Sequence, residues 1–334
     1  MTEPPNASSA AVAEELELPA FDSRAARRAI WRGVVRTALT ALFVLLVAYV
    51  ILTVVSGLWQ RSGDREERFQ TVAGLGFLVA HPDWRGEFSG CCNVDLTSLE
   101  LSLDVQPQTA NTLSPSTRAW LRLNILGRIV IDSIPVLPQT PIEQALSTSR
   151  PSKAQTRMLL QELPEPMRAS AVVELATPLM AAEFAELLAR AGVPVGTPGL
   201  HNSPPVFLES PYAPFHIEGR NPEIGFARKL AWPNPTIASH TAAEGDLAAA
   251  DPLTQFKAWA AKLEGGDDRN LGRLGLPPAS EIKKLAANPR IHGFILAKAS
   301  TETLLALLDD QGTRSVKIAD VAFDLGTIPD IPGP

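Results

Sequence analysis

The chain has 334 residues, with 30 Lys+Arg against 36 Asp+Glu for a net charge of −6, a balance that excludes a basic nucleic-acid binder; no direct nucleic-acid contact is expected. Hydrophobic residues at 45% and charged residues at 20% exclude global disorder, and 29 prolines imply short, turn-punctuated segments. Two cysteines are too few for a disulfide-framed fold.

Residues 1–36 read as a cytoplasmic tail. Its first part is acidic and its second part is rich in arginine. Ser9 is placed to cap a short helix ending before Pro19, and Ser23 to cap a second helix that runs on into the apolar stretch. Glu14, Glu15, Leu16 and Leu18 form one candidate docking element for a protein partner. Arg24, Arg27, Arg28 and Trp31 form another. The plainer alternative is a disordered tail whose arginines only fix topology and attract anionic lipid.

From Thr37 to Gln60 no residue is charged. A helix needs about 20 mostly apolar residues to cross a bilayer, so residues 37–58 are expected to span the membrane. A signal peptide would begin nearer the N-terminus and be shorter, and a soluble core helix would keep a polar face. Trp31 and Trp59 flank the run at headgroup level. Arg24, Arg27, Arg28, Arg32 and Arg36 precede it and Arg61, Arg65 and Arg68 follow, which favours a cytoplasmic N-terminus in a single-pass cell-membrane protein.

Residues 59–150 read as a strand-rich, membrane-proximal extracytoplasmic region. After a charged exit segment, Val72, Leu75, Phe77 and Val79 are expected in the first strand. Leu99, Leu101, Leu103 and Val105 alternate with polar residues in a second, and residues 127–136 suggest a third. Residues 151–325 read as an α+β domain, followed by a loose tail at 326–334. Within it, Ala171–Ala176 is a short strand, and Thr177-Pro178 is expected to open a helix carrying Phe184, Leu187, Leu188 and Ala191 on one face. Gly219 to Pro222 suggest a turn between short strands. Asp251-Pro252 starts a helix that buries Leu253, Phe256, Trp259, Ala260 and Leu263. Residues 264–273 read as a polar loop, and a short helix from Ala279 ends at Asn288-Pro289. Ile291–Ala297, a helix around Leu304 to Leu308, and Val316–Phe323 complete a second strand–helix–strand unit. The fold class expected is α+β, a mixed sheet with helices on one face, attached to a single transmembrane helix.

No catalytic or phosphate-loop motif occurs, and no cofactor is expected. His81, His201, His216, His240 and His292 never lie four apart, so no helix presents a paired metal site; each reads as a surface or loop residue. Cys91-Cys92 is the one chemically odd pair, either a redox couple or two ordinary cysteines in a turn. A hydrolase would require polar clustering such as His81 beside Asp83, Cys91 and Asp95.

The exit segment Arg65-Glu66-Glu67-Arg68-Phe69, behind an arginine-rich helix and one span, resembles the N-terminal region of the membrane-bound sigma factor regulators, an anti-sigma factor family. Val172-Val173-Glu174-Leu175 with Pro178 and the helix to Leu188 resembles the opening of that family's outer domain. Ile291 to Leu296, centred on Gly293, then Thr301–Leu308 and Val316–Val321, resembles its closing part. The likeness covers roughly 24–75 and 155–325, and region 85–150 departs from it. It implies a non-enzymatic regulator that holds a cytoplasmic sigma factor at the lipid bilayer while the outer domain senses envelope state, and it leaves a place for a second membrane subunit. The alternative is a non-enzymatic envelope structural or binding protein.

Overall fold

The computed structural model describes residues 23–61, 65–95, 97–111, 114–193, 204–209, 211, 230–233 and 251–323. The cap at Ser9, the docking residues Glu14, Glu15, Leu16 and Leu18, the histidines His201, His216 and His240, the turn from Gly219 to Pro222 and the tail at 326–334 lie outside the described residues. The chain forms two compact units, Met1–Val55 and Ser56–Pro334.

Helix α1 (Ser23–Arg61), most of it in the first unit, begins at the serine expected to cap it. Its stretch Ile30–Val55 is 26 residues long, has a mean hydropathy of 2.8 and buries nothing against the rest of the protein. It is long and apolar enough to span a membrane. Leu42, Phe43, Leu45, Tyr49 and Leu52 are all exposed.

The second unit opens with a helical rod, where a strand was expected. Helix α2 (Arg65–Phe69) continues through a π-helical turn (Gln70–Gly74) into helix α3 (Leu75–Ala80). From Thr71 to Ala80 the rod is buried all round, and so short a buried, mostly apolar run gives no period by which helix and strand can be told apart. It packs between a three-stranded sheet and a group of later helices. Gly74 permits the sheet contact, because a Cβ there would run into the Phe88 ring and the Leu101 side chain. On the other side Trp259 donates its indole N–H to the Thr71 carbonyl at 2.8 Å.

The three-stranded sheet is an antiparallel meander of β1 (Trp84–Val94), β2 (Ser98–Pro107) and β3 (Thr117–Asn124). Leu99, Leu101, Leu103 and Val105 of β2 and Ala119, Leu121 and Leu123 of β3 point into the core, as period-2 alternation demands. The strand expected at 127–136 is absent. Gly127, at φ 71°, turns the chain, Ile129 makes one bridge to Leu123, and Ile131–Ser133 is a 3-10 turn.

Two short helices follow. Thr140 caps α4 (Pro141–Ser147), and Ser152 with Gln155 forms a capping box on α5 (Lys153–Glu162). Then come β4 (Met167–Leu179), α6 (Ala181–Arg190), β5 (Val206–Phe207), β6 (Ala231–Trp232), α7 (Pro252–Lys262), α8 (Asp268–Arg273), α9 (Ala279–Ala287), β7 (Ile291–Ser300), α10 (Thr301–Asp309) and β8 (Thr313–Phe323). Helix α6 starts later than expected, because β4 runs on to pair Leu179 with Ile291. Part of the expected loop at 264–273 is helical, since Asp267 accepts from the Glu264 N–H and Leu271 is buried.

The strand order of the five-stranded sheet is β6-β5-β7-β4-β8. Every pairing is antiparallel, where a mixed sheet was expected. The units β4-α6-β5 and β7-α10-β8 each join two strands of like direction. Each is split by a strand of the other unit, so like-directed strands never become neighbours. This interleaving is the split βαβ topology of ferredoxin-like domains. Side chains alternate between the two faces. Ala171, Val173, Phe294 and Leu296 face the main core with α6 and α10. Val172, Phe207, Ala231 and Ile295 face α4 through Ile142 and Ala145. Helices therefore cover both faces, not one. The segment carrying α4 is rich in polar residues and proline, which hides its two buried positions, Ile142 and Ala145.

Candidate anion-binding cavity

The cavity lies where the three-stranded sheet meets the five-stranded sheet, at the C-terminal end of β7, and has a volume of about 560 Å³. One bond ties the two sheets, from the Ala110 N–H to the Asp320 carboxylate of β8 at 3.2 Å, and the Gln108 side chain, which lines the cavity, donates to the Pro82 carbonyl at 2.8 Å. Three cationic side chains line the cavity, Arg85 from β1, Arg168 from β4 and Lys298 from β7, with no carboxylate among its described lining residues.

Lys298 owes its position to a β-bulge. Ala169 pairs with Ala299 and Ala171 with Leu296, so Ala297 and Lys298 together oppose Ser170 alone. Lys298 has φ 60° and is the one described non-glycine residue at positive φ. Glycine is the usual occupant of a left-handed bulge position, because a Cβ is disfavoured there. Bulges of this kind re-aim a side chain, and here the re-aimed group is an ammonium. It makes no hydrogen bond or ion pair among the described residues. Desolvation first, and the nearby Arg85 charge second, pull its pKa below the usual lysine value. Arg85 also donates to Gln106 Oε1 at 2.8 Å, which steadies the guanidinium.

The floor carries the start of α10. Ser300 caps it, its Oγ accepting from the Thr303 N–H at 3.1 Å and lying 2.9 Å from Thr303 Oγ1. Both hydroxyls are thus held in place beside the positive end of the helix dipole. Pro204, Pro205, Ile295 and Leu296 supply apolar wall. The three cations, the two hydroxyls and the helix start suit the cavity to binding an anion.

The residues singled out from sequence lie elsewhere. Arg24, Arg27, Arg28 and Trp31 are exposed on α1, in the first compact unit. Cys92 is disulfide-bonded, and Cys91 is the one other cysteine in the chain. The pair sits at an irregularity of β1, where pairing passes from Cys91 opposite Leu101 to Asn93 opposite Glu100. The hydrolase cluster does not assemble. His81 and Asp83 precede β1 while Cys91 and Asp95 lie at its far end, some eight residues of strand apart at roughly 3.3 Å each. His81 is a loop residue, as one of the two expected placements has it, but is buried against the Phe77 ring at 4.6 Å, and buried Asp83 accepts from Thr140 Oγ1 at 2.7 Å. Among the described residues no group of three or more His, Cys, Asp or Glu is placed to hold a metal ion.

Sequence reading missed Arg85, Arg168 and Lys298 because they come from three strands far apart in the chain, with no local spacing to join them. Comparison with known proteins returns no matching family model, no matching curated relative and no matching solved structure.

Proposed function

We propose that this chain is a single-pass, membrane-anchored regulator whose outer α+β domain binds an envelope ligand and whose inner segment docks on a cytoplasmic partner, in the manner of an anti-sigma factor. The observation that carries the reading is the order of the parts. An arginine-flanked helix able to span a bilayer leads directly into a folded domain that contains a cationic cavity. The disulfide at Cys92 fits an extracytoplasmic domain, since disulfides persist in oxidising compartments. The arginines of α1 then lie at the inner face, next to anionic lipid and within reach of a sigma factor. A second membrane subunit is compatible with the bare apolar surface of the span. Inhibition would act by occlusion and tethering, without catalysis.

The test is a pull-down with the intact protein in gentle detergent, against a version lacking residues 1–22. Retention of a sigma factor by the intact protein alone places the contact in the acidic segment. Retention by both moves it to Arg24, Arg27, Arg28 and Trp31. Retention by neither overturns the regulator reading. The cavity specifically favours a second reading, an envelope binding protein whose anchor only tethers it, and that reading survives the last outcome.

A further inference from the structure

We infer that the cavity between the two sheets recognises a phosphoryl group carrying two negative charges, as a phosphate monoester or diphosphate, with Lys298 as its central contact. The inference rests on the reading of the outer domain as a ligand-binding module, and deepens it by naming the ligand class.

Three features point to this chemistry. First, Arg85 and Lys298 meet at the cavity, and its described lining residues include no carboxylate. Like charges brought together at a partly desolvated site repel one another until an anion joins them. A single carboxylate would balance one of the two charges, whereas a dianion with three acceptor oxygens matches both. Guanidinium forks also fit phosphate oxygens in paired hydrogen bonds. Second, Ser300 and Thr303 place hydroxyls and the start of α10 on the same cavity, where backbone N–H dipoles favour an anion. Third, Lys298 occupies a left-handed backbone position that glycine would take with less strain. Non-glycine residues in such conformations cluster at functional sites. A strained bulge that delivers an unpaired ammonium to a cavity is explained by a ligand for that ammonium. The volume of about 560 Å³ exceeds a phosphate ion by far, so the phosphoryl group is the anchor of a larger molecule that lies along Pro204, Pro205, Ile295 and Leu296.

The test uses the full chain in phosphatidylcholine nanodiscs, titrated by calorimetry with pyrophosphate and, separately, with succinate as a dicarboxylate control. A second arm measures co-sedimentation of the protein, reconstituted in phosphatidylcholine vesicles, with added vesicles containing phosphatidic acid. Two variants accompany the parent, Lys298→Gly and Arg85→Gln. The expected result is saturable, salt-sensitive binding of pyrophosphate, weakened at least tenfold by either substitution, while Lys298→Gly melts no lower than the parent. That combination separates loss of the contact from loss of the fold, because glycine suits the bulge better than lysine does. Lys298-dependent capture of phosphatidic acid vesicles, with no pyrophosphate binding, assigns the phosphoryl group to a lipid headgroup. Absence of binding in both arms overturns the inference, as does binding unchanged in both variants or a preference for succinate. None of these outcomes depends on residues 1–22, so the inference and the regulator reading fail separately.

Discussion

Removing Arg150 tests how the α+β domain handles a deeply buried charge. Glu174 lies on β4 with its side chain 2% exposed, and Arg150 reaches it from the connector between α4 and α5. The contact is bidentate, with Nε at 2.5 Å from Oε2 and Nη2 at 2.7 Å from Oε1. Ser315 donates to Oε2 at 3.3 Å, and Arg314 stands 3.9 Å away. Breaking a buried pair by removing one partner costs about 3–5 kcal/mol, because the remaining charge is left desolvated. Arg150 is 40% exposed, and Arg314 and Ser315 stay in place, so we expect Arg150→Met to sit at the lower end, about 3 kcal/mol. For a domain of this size that is a fall of roughly 6–12 °C in Tm. Circular dichroism melts of the solubilised protein at neutral pH measure it. The double variant Arg150→Met with Glu174→Leu is expected to recover most of the loss, since both charges are then gone. A single variant that melts within about 2 °C of the parent, or a double variant worse than the single one, would refute the reasoning.

Three further outcomes follow from packing and protonation. A Cβ on Gly293 would lie 2.5 Å from the Val173 carbonyl oxygen, so Gly293→Ala must force β4 and β7 apart; a loss of about 1–3 kcal/mol is expected, and an unchanged Tm contradicts it. The Ser170 hydroxyl is buried without a hydrogen-bond partner, so Ser170→Ala is expected to raise stability by about 1 kcal/mol, and a clear fall in Tm would show that the hydroxyl is satisfied. Burial lowers the His292 pKa, against an opposing pull from Glu174. The unfolded chain therefore binds that proton more readily, so this contribution to stability is whole above about pH 6.5 and is lost as pH falls through the folded value. His292→Asn should flatten that part of the acid limb in melts taken across it, and an identical pH profile would count against the assignment.

The legible parts of the fold were those with a clean period or a local cap. The alternation from Leu99 to Val105, the α6 face from Phe184 to Ala191, the Asp251-Pro252 start of α7 and the Gly293-centred strand all appear as expected. The rod from Thr71 to Ala80 was not legible, because burial on every side removes the polar face that marks a helix. The antiparallel sheet was hidden for a different reason. Two strand–helix–strand units were visible, but their interleaving is a long-range choice that neither unit encodes alone. The cavity was least legible of all. Arg168 and Ser300 meet only through the pairing of β4 with β7, and Lys298 is aimed by a bulge with no local sequence signal.

The most direct measurement of the central claim is sidedness. A single cysteine placed at exposed Glu302, in a background with Cys91 and Cys92 replaced by serine, can be compared with one placed at Arg24. Both are exposed in intact cells to a membrane-impermeant maleimide. The account predicts labelling at position 302 in intact cells and at position 24 only after the membrane is opened. Labelling at 24 with protection at 302 would invert the topology and contradict an outer ligand-binding domain. Labelling of neither position until lysis would remove the membrane-spanning arrangement on which the account rests.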